Sequence, residues 1–254
     1  MILKPDSPLV HTLYPSPNIE DRCKGRRADM ILLHYTGMDE AENAIAWLAN
    51  PKSKVSCHYV IDEEGRITQM VEESKRAWHA GVSHWAGDTD INSVSIGIEI
   101  QNPGHEHGYP EFPPPQMHAV AALCRDIVRR RGISPERVLA HSDVAPGRKI
   151  DPGEKFDWAG LARAGVGHWV KPSPLDANGS LSLDADAAAV GEARELLRLY
   201  GYGTDACDRE NWFAVLVRSF QLHFRPARCD GKLDTSTLDT LRRLVAALPA
   251  SAIA

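Results

Sequence analysis

Between residues 30 and about 169 the apolar positions switch period repeatedly. Short apolar runs at 30–35, 58–61, 67–71, 94–101 and 138–141 have the length and β-branched content of buried strands. They alternate with helical spacing at 40–49, stopped by Pro51, and at 116–131. In the second of these, Met117, Val120, Ala121, Cys124, Ile127 and Val128 recur on one face and Gly132 marks the stop. Asp62-Glu63-Glu64-Gly65 between the second and third strands predicts a hairpin turn with Gly65 at the tight position. Alternating strands and helices of this kind predict an α/β layered domain, placed at 1–170.

From 171 to 183 prolines, glycines and serines follow one another without a sustained period, the pattern of a linker. Beyond it the pattern is helical throughout: 186–200 ending at Gly201 or Gly203, 209–224 ending at Pro226, and 235–247 with Asp234, Thr235 or Ser236 available to cap its start. Residues 184–254 are therefore predicted to form a small three-helix domain, large enough for a modest core.

Composition narrows the function classes. With 43% hydrophobic and 25% charged residues the chain is of ordinary globular type, and a net charge of -5 argues against nucleic acid as the main partner. The tight basic run Arg129-Arg130-Arg131 closes a predicted helix, where cations complement the dipole. No membrane span is expected, and Pro5 and Asp6 interrupt any apolar core at the start, so a cytoplasmic protein is expected, with the periplasm as the alternative. The five cysteines lack metal or redox spacing and are expected to be reduced, although Cys207 and Cys229 flank one predicted helix and could pair in an oxidising compartment.

Candidate chemistry concentrates at two strand ends. His34 closes Met30-Ile31-Leu32-Leu33-His34 and His141 closes Arg137-Val138-Leu139-Ala140-His141, so both can converge at one sheet edge. A catalytic zinc needs three protein ligands and one open position. The Pro/Gly loop after His141 carries two carboxylates, Asp143 and Asp151, and spacing leaves the third ligand open between them.

Five strings occur in order: Leu33-His34-Tyr35-Thr36, Val55-Ser56-Cys57-His58-Tyr59-Val60-Ile61, Arg76-Ala77-Trp78-His79-Ala80-Gly81, Ser95-Ile96-Gly97-Ile98-Glu99, and His141-Ser142-Asp143-Val144-Ala145-Pro146-Gly147-Arg148-Lys149. Together they resemble the zinc-dependent N-acetylmuramoyl-L-alanine amidases of the AmpD-like amidase-2 family over roughly residues 10–165. The resemblance implies a mixed β-sheet flanked by helices, one zinc ion per chain, and His34, His141 and Asp151 as its ligands, leaving Asp143 aside. It also implies Glu99 as the general base and acid, Lys149 as the cation facing the developing oxyanion, and peptidoglycan or anhydro-muropeptides as the substrate. Cys57 stands where relatives carry a tyrosine, and is expected to pack rather than react.

For substrate contacts, the aromatic loop from Trp78 to Trp85 offers a stacking face or a core seal; the resemblance favours His79, with His58 and Trp85 as further contacts. His105 and His107 mimic a second metal site but read better as a solvent loop. Phe220-Gln221, Asp230-Gly231 and Thr237-Leu238 resemble the three-helix peptidoglycan-binding module attached to wall hydrolases. A non-catalytic recognition protein is the rival reading; the full complement of ligands, Glu99 and Lys149 favours the enzyme.

Overall fold

The computed structural model describes residues 3–175, 181–204 and 211–249. Its strands are β1 (Thr12–Leu13), β2 (Ile19–Asp21), β3 (Met30–Tyr35), β4 (Tyr59–Ile61), β5 (Ile67–Gln69), β6 (Lys75–Ala77), β7 (Ser95–Ile100) and β8 (Val138–Ala140). Its α-helices are α1 (Ala41–Leu48), α2 (Pro114–Arg131), α3 (His141–Val144), α4 (Trp158–Arg163), α5 (Ala187–Tyr200), α6 (Trp212–Phe224) and α7 (Thr235–Ala246). The expected strands and helices all form, and the mixed sheet flanked by helices is as anticipated. The start of the helix expected at 209 falls partly outside the described residues. Strands β1, β2 and β6 and helices α3 and α4 are additions.

The main sheet runs β1-β5-β4-β7-β3-β8, parallel except for the β4–β5 hairpin. The hairpin turn is built as expected: Gly65 takes φ 82°, and the Asp62 carboxylate accepts from the Glu64 and Arg66 amides. Register then decides what each face carries. Met30 pairs with Ser95, Leu32 with Gly97 and His34 with Glu99, so all six share one face. Ile31, Leu33, Ile96, Ile98 and Ile100 take the other, where they meet Val120, Leu123, Cys124 and Ile127 of α2 in one core. Pro114 starts α2 where a missing amide costs nothing, and Gly132 ends it at φ 69°.

The basic run at the end of α2 does more than face the dipole. Arg130 and Arg131 hold the fully buried Glu73 carboxylate at 2.6–2.8 Å, and Tyr59 adds a 2.7 Å bond from its hydroxyl.

On the opposite face, Met30, Leu32, Leu139 and Val144 belong to the same core as Ala193, Leu197, Leu216, Phe220, Leu241 and Leu244 of α5–α7. The three helices thus bury their apolar sides in a core continuous with that of the sheet. The described part of the expected linker is tied down as well: the Ser173 amide donates to Thr240 Oγ1 at 2.9 Å and the Leu183 amide to the Leu233 carbonyl at 2.8 Å. Cys229 is a free thiol, and Cys207, with which it could pair in an oxidising compartment, lies outside the described residues. Among the described residues no helix is long and apolar enough to cross a membrane.

Candidate active site

Parallel pairing of β3 with β7 and β8 brings the carboxyl ends of these strands together, and the site forms there. His34 is the fifth residue of β3. His141 follows β8 directly as the first residue of the short α3, a helical turn rather than the strand end expected. The loop after α3 folds back so that the Ser142 amide donates to the Asp151 carbonyl at 3.0 Å, which sets Asp151 beside His141. His34 Nδ1, His141 Nδ1 and Asp151 Oδ2 converge at 2.8–3.1 Å from one another, all three residues being buried.

The protons at this point can be located from the partners. His141 Nε2 lies 3.1 Å from the Ala80 carbonyl, which can only accept, so Nε2 carries a hydrogen and Nδ1 is the nitrogen turned to His34 and Asp151. The Arg148 guanidinium, 3.4 Å from the same nitrogen, bonds to that carbonyl too. Burial, and then the neighbouring His141, push the His34 pKa down to about 4, so it is neutral near pH 7. Burial opposes ionisation of Asp151, but the two imidazoles outweigh it and hold the carboxyl well below the usual carboxylate range. A divalent ion requires neutral imidazoles and an ionised carboxylate, the states in which His34 and Asp151 are held. The two nitrogens, 2.8 Å apart, and the carboxylate oxygen beside them are close enough for a single ion to meet all three. Tetrahedral zinc, with bonds of about 2.0–2.1 Å, spaces adjacent ligands at about 3.3 Å. The residues fit the ion, and among the described residues they form the one histidine, cysteine and carboxylate cluster able to hold it.

Asp143, the competing carboxylate, is committed elsewhere. Oδ2 accepts from the Ala140 amide at 2.8 Å and from His223 Nδ1 at 2.7 Å, and Oδ1 accepts from the Tyr202 hydroxyl at 2.6 Å. It therefore joins the His141-bearing turn to the C-terminal helical region.

The donor set opens on a cavity of about 510 Å³. Glu99 and Lys149 both line it. Glu99 Oε2 is buried and meets no hydrogen-bond donor among the described residues. Burial first, and the Asp151 charge next, push the Glu99 carboxyl well above the usual range, while Lys149 pulls the other way. Cys57 is fully buried, with its thiol pushed up by burial.

The substrate contacts expected from sequence are dispersed. His79 borders the cavity, but both ring nitrogens are taken, by His34 Nε2 at 3.0 Å and Ser95 Oγ at 3.2 Å. His58 does not line the cavity: it is fully buried, accepts from the Gly97 amide through Nδ1 and meets the Lys75 carbonyl and Arg22 through Nε2. Trp85 is likewise inside, edge-on to Tyr200 and Tyr202 at 5.8 and 4.9 Å, so the loop from Trp78 to Trp85 seals a core at its Trp85 end. His105 sits at the cavity rim, stacked on Tyr109 and bonded to Glu154 and Tyr35. The walls include residues the sequence reading did not single out, namely Tyr35, Trp47 and Arg148. Trp47 carried a usable signal, an exposed aromatic off the Ala41, Ala44, Leu48 face that α1 buries.

Two buried imidazoles and a carboxylate at the end of parallel strands, beside an unpartnered glutamate in a cavity, form a candidate metal site of a kind that hydrolases use. Comparison with known proteins places it more narrowly. Residues 24–154 match the Amidase_2 family, N-acetylmuramoyl-L-alanine amidase, and the chain belongs to that family of enzymes. It is 38% identical over 227 residues to the N-acetylmuramoyl-L-alanine amidase AmiD of Escherichia coli K12, covering 83% of this chain and 80% of that one. It is 30% identical over 161 residues to the 1,6-anhydro-N-acetylmuramyl-L-alanine amidase AmpD of Haemophilus influenzae, covering 56% of this chain and 85% of that one. The solved structure of E. coli AmiD with its substrate anhydro-N-acetylmuramic acid-L-Ala-D-gamma-Glu-L-Lys superposes with a TM-score of 0.75 at 33% identity, over 89% of this chain and 92% of the other.

Proposed function

We propose that this protein hydrolyses the amide between N-acetylmuramic acid, or its 1,6-anhydro form, and the L-alanine of the stem peptide, using zinc held by His34, His141 and Asp151. The observation that carries this reading is the convergence of those three donors beside the unpartnered Glu99 carboxyl in one cavity. Bound there, zinc supplies Lewis acidity, polarising the amide carbonyl and making water a better nucleophile. Glu99 takes a proton from the attacking water and delivers it to the amide nitrogen as the C–N bond breaks. The water oxygen ends in the muramoyl carboxylate and the nitrogen leaves as the alanine amine. A carboxyl whose affinity for protons is raised by burial suits both halves of that transfer. Lys149, on the cavity wall two residues before Asp151, places a fixed positive charge against the carbonyl oxygen as it becomes negative. The helices from Ala187 to Ala246 serve as the peptidoglycan-binding element.

The test is to supply the full chain with soluble anhydro-muropeptides and with intact sacculi, each with and without a chelator, and to identify products by mass. Stem peptide beginning at L-alanine is expected, and chelation should abolish its release. No chelator-sensitive release from either material would refute the reading.

A further inference from the structure

The direction of each hydrogen bond leading away from His34 can be worked out from its far end. Ser95 Oγ lies 2.6 Å from the Ile91 carbonyl, which accepts only, so the serine hydrogen is spent there. Ser95 Oγ can then only accept from His79 Nε2, 3.2 Å away, which places the hydrogen of the neutral His79 ring on Nε2. His79 Nδ1 is left with a lone pair facing His34 Nε2 at 3.0 Å, so His34 must carry its hydrogen on Nε2 and turn the Nδ1 lone pair toward His141 and Asp151. Were His79 the other tautomer, it would aim a hydrogen at His34 Nε2 and drive the His34 hydrogen into the metal position.

The surroundings hold this ring in place. The main-chain amides of His79 and Ala80 both donate to Asn92 Oδ1, at 3.0 and 2.8 Å. A Cβ at Gly97 would lie 2.5–2.6 Å from His79 ring atoms, so the ring packs against β7 where the strand has no side chain. Ser95, Gly97 and Glu99 share one face of β7, and this gives each alternate residue of the Ser95-Ile-Gly-Ile-Glu99 string its own task.

From this geometry we infer that His79 and Ser95 are positioning residues that fix the tautomer of His34 and so present its Nδ1 to the ion. The inference rests on the metal reading above and replaces substrate contact as the role of His79. Its test uses the full chain and its Ser95→Ala, Ser95→Thr and His79→Phe variants. Nitrogen-15 imidazole correlation spectra of metal-free protein read the His34 tautomer, and competition with a chromophoric chelator reads zinc affinity. The wild type is expected to show His34 protonated at Nε2. Ser95→Ala and His79→Phe should lose that preference and about 10–100-fold in zinc affinity, whereas Ser95→Thr, which keeps a hydroxyl, should retain both. If Ser95→Ala fails to fold, as its thermal transition would show, His79→Phe carries the test because it fills the ring volume without an acceptor. A wild-type His34 protonated at Nδ1, or unchanged tautomer and affinity in His79→Phe, would overturn the inference. Absence of zinc binding by the wild type, with the tautomer shifting as stated, would overturn the metal reading and leave standing only the part in which His79 and Ser95 fix the His34 tautomer.

Discussion

Glu99 combines two properties that are costly together: its outer oxygen is buried and it has no hydrogen-bond donor among the described residues. Stability alone would favour an apolar residue there. Glu99→Gln is expected to lower turnover by about 10²–10⁴-fold with zinc affinity nearly unchanged, and Lys149→Met by about 10²–10³-fold in kcat. Steady-state rates combined with metal analysis of the purified variants check both, and a near-normal rate in Glu99→Gln would remove the proton-transfer role. At this scale the sequence was informative about convergence and silent about protons. His34 and His141 could be paired because both close apolar runs, yet Asp143 and Asp151 were equivalent by spacing. The structure separates them by partners, since Asp143 is spent on Tyr202 and His223. Sequence carries no measure of burial, so His58 and Trp85 stand as candidate substrate contacts there, whereas in the structure both are enclosed.

Among the elements, the end of α2 carries a charge cluster with a clear acid signature. Burial pushes the Glu73 carboxyl up, but the bonds from Arg130 and Tyr59 and the charge of Arg131 more than offset it, leaving a pKa of about 2. A depressed folded pKa contributes stability that is present above the ordinary value of 4.5 and is lost as pH falls toward 2. The shift corresponds to about 3 kcal/mol by order of magnitude. Resistance of the wild type to denaturant should therefore fall steeply as pH is lowered from 4.5 to 2. Glu73→Gln should be less stable at neutral pH and flatter across that window; an equal slope in both proteins would show that other carboxyls set it. The long periodic elements were legible because six-residue β3 and β7 and eighteen-residue α2 carry enough apolar positions to show a period. Strands β1, β2 and β6 have two or three residues, largely polar, and exist only through pairing with partners distant in sequence. The run Arg129-Arg130-Arg131 shows the same limit: its helix-ending place was readable, and its partner Glu73, more than fifty residues away, was not.

At the scale of the whole molecule, the break in apolar periodicity suggests two bodies and a linker, whereas packing gives one core running from Met30 and Leu32 through Val144 to Phe220 and Leu244. Phe220→Ala is expected to cost about 3–5 kcal/mol and to lower a single unfolding transition, seen alike by far-ultraviolet circular dichroism and tryptophan fluorescence. Two separated transitions would show that the helices melt by themselves. The buried Asp143 carboxylate gives this unity a thermodynamic meaning. It lies in the same turn as His141 and receives bonds from Tyr202 and from His223 of α6. Whatever steadies that turn steadies the helices, and by linkage the effect is equal in reverse. Zinc should accordingly slow hydrogen exchange at the amides of α6, which are remote in sequence from every ligand, and His223→Leu should weaken zinc binding without touching the site. The metal would then act as a fastener for the C-terminal third of the chain, and loss of zinc would loosen those helices as well as empty the site.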